Sequence, residues 1–176
     1  MQQAFKAIAF IGLMIALSAG PVIAQGISDL KDHDVDQPFD ISADSVEVQD
    51  KANIAVFTGN VNVEQGDLIL KAETLRVFYE RAGDTPTILR LDARGDVEFR
   101  SPSEDVRSAW SIYDVRREIV TMGGQVRFNS EDARLVGDRL ELNLRTGRTT
   151  LDSDKSGGTA APRVQGRFAV PDKSGR

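Results

Sequence analysis

Catalysis and metal binding need particular side chains, and this chain of 176 residues supplies few of them. It has no cysteine and one histidine, His33, set between Asp32 and Asp34. Thiol catalysis, disulfides, Cys-ligated zinc and iron–sulfur clusters are thereby excluded together. Any metal site would have to be built from carboxylates, and a lone His in an acidic stretch reads as solvated. There is no Gly-x-Ser-x-Gly. Paired carboxylates in a cleft would serve acid–base chemistry, but most Asp and Glu here alternate with apolar residues, which puts them on an outer face. The sequence argues against an enzyme and calls for no cofactor and no metal. The 27 acidic residues outnumber the 22 basic ones, a formal net charge of −5. That balance disfavours nucleic acid, whose phosphates demand a basic surface.

What the chain has in quantity is alternation of period two. Phe39-Asp40-Ile41, Val46-Glu47-Val48, Val61-Asn62-Val63, Val97-Glu98-Phe99 and Val126-Arg127-Phe128 each place a polar residue between two apolar ones. Leu68 and Leu70 are two apart, as are Leu75, Val77 and Tyr79, and Leu140, Leu142 and Leu144 alternate with Glu141 and Asn143. This spacing buries one face of a strand and wets the other. Turn chemistry separates the runs at Thr58-Gly59-Asn60, Gln65-Gly66-Asp67, Ala82-Gly83-Asp84, Arg94-Gly95-Asp96, Gly123-Gly124 and Thr146-Gly147-Arg148. The fold class is all-β, with many short antiparallel strands, closed or nearly closed.

The pattern also repeats. Gly59–Tyr79 aligns without gaps on Gly124–Leu144, sharing Gly59/Gly124, Val61/Val126, Asp67/Asp132, Leu70/Leu135 and Leu75/Leu140. Gly95-Asp96-Val97-Glu98-Phe99 is a third copy of the core. Stacked hairpin units, each burying its apolar face against the next, fit this phase. An ordinary β-sandwich with chance similarity is the alternative.

Residues 1–24 have Lys6, an apolar run from Ala7 to about Ala19, Pro21 and then Val22-Ile23-Ala24. This is the layout of a secretory signal peptide cleaved after Ala24. The run is about 13 residues, against about 20 needed to span a bilayer. Loss of Lys6 leaves a net charge of −6. Residues 25–36 read as a flexible acidic arm, 37–171 as the folded unit with a mobile Gly- and Ser-rich loop over 153–161, and 172–176 as a disordered tail.

The stretch Asp36-Gln37-Pro38-Phe39-Asp40-Ile41-Ser42-Ala43-Asp44 is followed by Phe57-Thr58-Gly59-Asn60-Val61-x-Val63-x-Gln65-Gly66 and Leu70-x-Ala72-Glu73-x-Leu75-x-Val77. Together they closely resemble the OstA-like family of periplasmic lipopolysaccharide transport proteins. The likeness runs from about Asp36 to Thr150 and more loosely to Val170; its second copy departs at Gly123-Gly124-Gln125-Val126. The resemblance implies an elongated, twisted β-jellyroll, partly open along one side, with an apolar groove for the lipid A part of lipopolysaccharide. It implies a bridge that carries lipopolysaccharide from the inner to the outer membrane. Its partners would be an inner-membrane LptC-like jellyroll, an outer-membrane LptD-like translocon and further copies of itself, joined head to tail.

Within that frame the alternation names the groove residues. Asp40, Asn62, Glu98, Asp114, Arg127 and Glu141 face water, so Phe39, Ile41, Val61, Val63, Val97, Phe99, Tyr113, Val115, Val126, Phe128, Leu140 and Leu142 face in. Acyl chains need only such apolar walls, at about 0.8 kcal/mol per buried CH₂. The end strands carry unpaired backbone groups and can template strand addition. The expected contact sets Phe39, Asp40, Ile41, Ser42 and Ala43 of one chain against Val164, Gln165, Gly166, Arg167, Phe168, Ala169 and Val170 of the next, or against a jellyroll partner. A membrane-anchored LptC-like jellyroll is the other reading. Mass spectrometry of a periplasmic fraction is expected to find a mature N-terminus at Gln25; an intact Met1 would support the anchored form.

Overall fold

The computed structural model describes residues 34–81, 85–153 and 163–169. The signal peptide, the arm as far as His33, the turn at 82–84, the loop after Ser153, Val170 and the tail lie outside the described residues. Among the described residues the chain forms ten strands: β1 (Asp40–Ser42), β2 (Ser45–Gln49), β3 (Ile54–Gln65), β4 (Leu68–Arg81), β5 (Pro86–Arg100), β6 (Glu104–Asp114), β7 (Ile119–Ser130), β8 (Ala133–Asn143), β9 (Arg148–Asp152) and β10 (Gln165–Phe168). Every pairing between them is antiparallel. Strands β3 to β8 pair in sequence order. The all-β antiparallel architecture is the one the alternation requires.

Three of the glycine sites read as turns sit inside strands instead. Gly59-Asn60, Gly95-Asp96 and Gly124-Gln125 are bulges in β3, β5 and β7, and all six residues have positive φ. The register slips at each one: Thr58 and Val61 face Thr74 and Ala72, Arg94 and Val97 face Trp110 and Ser108, and Gly123 and Val126 face Arg139 and Gly137. Each bulged strand thus carries one residue more than its partner, which bends it and sharpens its twist. The runs on either side belong to one long strand, so β3 to β8 have 11 to 15 residues each. At Gln65-Gly66-Asp67 and Thr146-Gly147-Arg148 the chain does turn.

The bulges line up across the sheet and divide it. On one side of the row β2 pairs with the Ile54–Thr58 part of β3, and β9 with the Arg139–Asn143 part of β8. On the other side β1 pairs with Asn62–Glu64 and β10 with Ala133–Val136. The strands between the bulged ones answer by changing inward parity. In β4 the buried residues are Leu68, Leu70 and Ala72, then Leu75 and Val77; in β6 they are Glu104, Val106 and Ser108, then Ser111 and Tyr113. The two half-sheets fold towards each other and share one core, in which Leu75, Met122, Leu140, Val61, Val97 and Val126 are among the most deeply buried side chains.

The repeat read from the sequence, Gly59–Tyr79 on Gly124–Leu144, is therefore a bulged strand followed by a parity-switching one, β3 with β4 and β7 with β8, and Gly95–Phe99 opens the same unit in β5 with β6. A neighbouring side chain lies over each bulge glycine: Asp44, between β1 and β2, over Gly59, Glu73 of β4 over Gly95, and Ala109 of β6 over Gly124. A Cβ on Gly124 would stand 2.7 Å from the Ala109 Cβ, on a backbone at φ +80°. Gly124→Ala is expected to cost about 1–2 kcal/mol for the left-handed conformation alone, plus the close contact. In urea denaturation the Gly124→Ala, Ala109→Gly double variant should recover the contact but not the backbone cost.

Candidate functional site

At one end of the molecule the half-sheets close on a narrow slot. Val63 from β3, Leu68 and Leu70 from β4 and Phe99 from β5 form one wall; Leu91 from β5, Ser111 and Tyr113 from β6 and Val120 from β7 form the other. Phe39 and Gln65 complete the lining. The walls meet where the Phe39 ring packs edge-on against the Tyr113 ring, centroids 6.0 Å apart. The open space left between them is about 30 Å³. A water needs about 10–15 Å³ by this measure, so in this state the slot has room for a water or two and little more.

The segment ahead of β1 lies across the slot as a strap. Val35, Phe39, Ile41 and Ala43 pack on the core. Gln65, only 3% exposed, donates from Nε2 to the carbonyl oxygens of Val35 at 2.8 Å and Gln37 at 3.0 Å. One buried amide thus pins two carbonyls of the strap, and its own donor is satisfied inside the fold. The Tyr113 hydroxyl is buried and finds no hydrogen-bond partner among the described residues. Burial, with the charge of Glu118 adding to it, pushes Tyr113 up to about 12.

Larger depressions of about 560 and 530 Å³ lie on the outer side of the bulge row. Asn60, Asn62, Lys71, Glu73 and Asp96 line the first, and Glu98, Arg107, Gln125 and Arg127 the second. Such walls suit water rather than hydrocarbon. The outer face also carries ion pairs: Arg107 holds Glu98 at 2.8 Å, and Arg100 reaches both Glu98 and Asp105. Burial alone would raise the Glu98 carboxyl, but the hydrogen bond and charge of Arg100 and the charge of Arg107 hold it below the usual carboxylate range.

Of the residues expected to face in, Val61, Val63, Val97, Phe99, Tyr113, Val126, Phe128, Leu140 and Leu142 are buried, and Phe39, Ile41 and Val115 are half-buried against the same core. The slot itself gathers Phe39, Val63, Phe99 and Tyr113 from that set. Gln65, Leu68, Leu70, Leu91, Ser111 and Val120 are additions. Gln65 continues the phase of Val61 and Val63, so period two places it inside although its type suggests a turn. Leu91 follows Leu89 and Arg90 in the same alternation.

The ends of the fold are unfinished surfaces. Val46 faces Phe57 and Val48 faces Ala55 across β2–β3, so both take the inward phase. They are nonetheless 55% and 56% exposed. At the far end Phe168 faces the buried Ala133 and is 61% exposed. The inner apolar face therefore runs out uncovered at both ends. Among the described residues, strands β1 and β10 each have one partner. The Ala169 amide, expected on the open edge, instead donates to Asp132 O of its own chain at 2.8 Å. By antiparallel alternation it is the amides of Gly166 and Phe168 that point away from β8.

A folded-over antiparallel sheet around an apolar slot defines a β-jellyroll. The chain belongs to the family described as LptA/(LptD N-terminal domain) LPS transport protein, whose model matches residues 40–148. It is 30% identical over 156 residues, 84% of either chain, to an uncharacterised protein of Rhizobium meliloti. It is 28% identical over 111 residues to the lipopolysaccharide export system protein LptH of Pseudomonas aeruginosa, covering 61% of this chain and 63% of that one. With the lipopolysaccharide export system protein LptA of Escherichia coli K12 the figures are 23% over 128 residues, 69% and 68%. The crystal structure of the Pseudomonas aeruginosa LptH superposes with a TM-score of 0.64 at 19% identity, covering 80% of this chain and 99% of that one.

The Tyr113 environment has a pH consequence. Its folded pKa lies above the unfolded value of about 10, so the stability it contributes is complete below pH 10 and is lost as pH rises towards 12. Thermal melts of the wild type are expected to fall more steeply across that window than melts of Tyr113→Phe.

Proposed function

We propose that this protein is a periplasmic carrier in lipopolysaccharide export, holding acyl chains of lipid A between its half-sheets and passing them along a head-to-tail row of jellyrolls. The observation that carries the reading is the uncovered apolar inner face at both ends, Val46 and Val48 at one and Phe168 at the other. A neighbour added edge to edge covers these residues and continues the apolar face into its own interior. The first and last strands are different surfaces, so the contact is head to tail and need not close into a ring. The same edges would receive an inner-membrane LptC-like jellyroll at one end and an outer-membrane LptD-like translocon at the other. Family membership and the named relatives support the substrate. The signal peptide reading supports the compartment. Binding and release through an apolar slot need no catalytic group, so the role is non-enzymatic.

For lipid to enter, the half-sheets must part or the strap over Gln65 must lift, because the slot has room for little more than water. Photo-crosslinking side chains at Phe39 or Tyr113 are expected to capture lipopolysaccharide, and those at Asp40 or Asp114 are not. Equal capture at both sets would overturn the assignment of faces.

For assembly, apparent mass in light scattering should rise with protein concentration. Phe168→Pro, which deletes an edge-facing amide, should suppress the rise. Phe168→Ala keeps the amide but removes the apolar ring, and should weaken the rise without abolishing it. A wild type that stays monomeric at high concentration and binds no jellyroll partner would remove the head-to-tail reading.

A further inference from the structure

One row of outward-facing residues crosses the half-sheet that carries β1 and β10, and its two ends bear opposite charge. The row begins with Asp40 of β1 directly opposite Glu64 of β3. It runs through the Arg100–Asp105 ion pair, at 3.2 Å, and ends with Arg134 of β8 directly opposite Arg167 of β10. Asp40, Glu64, Arg134 and Arg167 are all exposed. Like charges directly opposite one another on antiparallel strands are destabilising. Among the described residues none of these side chains has an ion-pair partner. A single chain therefore carries an unrelieved acidic pair at one edge and an unrelieved arginine pair at the other.

We infer that these two pairs set the polarity and register of the joint between copies, the acidic pair of one chain docking beside the arginine pair of the next. The inference rests on the head-to-tail reading above and adds what makes the joint head to tail. Each strand on the path from β1 to β10 is antiparallel to its neighbour, and the path holds an even number of strands, so β1 and β10 run in opposite directions. A second copy in the same orientation thus brings an antiparallel β1 to β10. Two β1 edges, or two β10 edges, can also pair antiparallel about a two-fold axis, and either would close a dimer and end the row. The first gathers both acidic pairs and the second both arginine pairs, so charge rejects them. Ile41 faces the buried Val63 and so takes the inner face of β1, while Gly166 and Phe168 take that of β10 opposite Leu135 and Ala133. Of the registers that keep these inner faces together, one continues the charged row. It sets Asp40 opposite Arg167, Ser42 opposite Gln165, and Ile41 opposite Gly166, whose amide points away from β8. The other seam, β2 against β9, has Glu47 on one side and both Arg148 and Asp152 on the other, and gives no such bias.

The test uses the mature chain in two charge-reversed forms, one with Arg134→Glu and Arg167→Glu, the other with Asp40→Arg and Glu64→Arg. All four sites are exposed, so circular dichroism of both should match the wild type. Each form alone presents like charge at both edges and should self-associate roughly 10-fold more weakly than wild type in light scattering. An equimolar mixture should restore the wild-type rise in mass, because every joint in it is complementary again. Wild-type association should weaken between about 0.05 and 0.5 M NaCl as the exposed charges are screened. The chain has no cysteine, so a Ser42→Cys chain mixed with a Gln165→Cys chain reports the register by forming a disulfide between the two kinds. If both charge-reversed forms assemble as the wild type does, or their mixture stays dissociated, the inference is overturned and the head-to-tail reading stands on the wild type's own assembly. Association without the mixed disulfide would overturn the register. If either cysteine chain links to its own kind instead, like edges meet and both readings fail. A wild type that stays monomeric at every salt concentration takes the head-to-tail reading down and this inference with it.

Discussion

Everything in this fold depends on two consecutive residues in the left-handed conformation, placed three times at the same level of the sheet. Gly59-Asn60, Gly95-Asp96 and Gly124-Gln125 each insert one residue into a long strand. Without the insertion, strands of 11 to 15 residues would extend as one twisted sheet, with an apolar face far too large to leave in water. With it, the sheet bends along a line and the two halves bury that face against each other. The valine after each bulge, Val61, Val97 or Val126, is at most 2% exposed. The unit Gly-x-Val therefore sets the bend and starts the core beyond it. The intervening strands change parity at the same level, which is why Leu68 and Leu70 share a face with Leu75 and Val77 although an odd number separates the two sets.

The same bend explains what could and could not be read in advance. Alternation over Val61–Val63, Val97–Phe99, Val126–Phe128 and Leu140–Leu142 fixes which side chains are inside, because each polar neighbour must reach water. It carries no signal for whether Gly95-Asp96 ends a strand or bulges within it, since both uses ask for the same left-handed residues. Parity changes compounded this: a strand whose buried phase switches at Glu73 looks like two strands. For the slot, Phe39, Val63, Phe99 and Tyr113 were legible from phase. Gln65 was not, because its type spoke for a turn while its phase spoke for the interior. The strap it holds depends on a contact across some thirty residues, beyond the reach of any local pattern. The Ala169 amide was assigned to the open edge for a similar reason. Only the pairing of β10 with β8 shows that Asp132 already accepts from it.

The slot and the ends stand in tension. An interior that is tightly packed, with about 30 Å³ to spare, protects the apolar face of a lone molecule. Ends that leave Val46, Val48 and Phe168 bare do the opposite. Exposed apolar patches on soluble proteins are usually interaction sites, and unblocked strand edges beside them point the same way. The charged outer face, with Arg100, Arg107, Glu98 and Asp105 exchanging ion pairs, adds little to stability. It keeps the convex side wet and so leaves the ends as the bare apolar surface.

The pairing order has a kinetic side. From β3 to β8 each strand lies beside the one that precedes it in the chain, and the connections between them are short. Closing such hairpins costs little chain entropy, and no strand has to wait for a distant partner. An all-β protein of this size would ordinarily be slow to fold because its contacts are remote in sequence. Here growth can start at any central hairpin and travel outwards as a zipper, with β1, β2, β9 and β10 joining last. Those four strands are also the shortest and the most exposed, so the ends should fray first while the middle holds. A pulling force applied between the termini would peel the molecule one hairpin at a time, a saw-tooth response in place of one cooperative rupture.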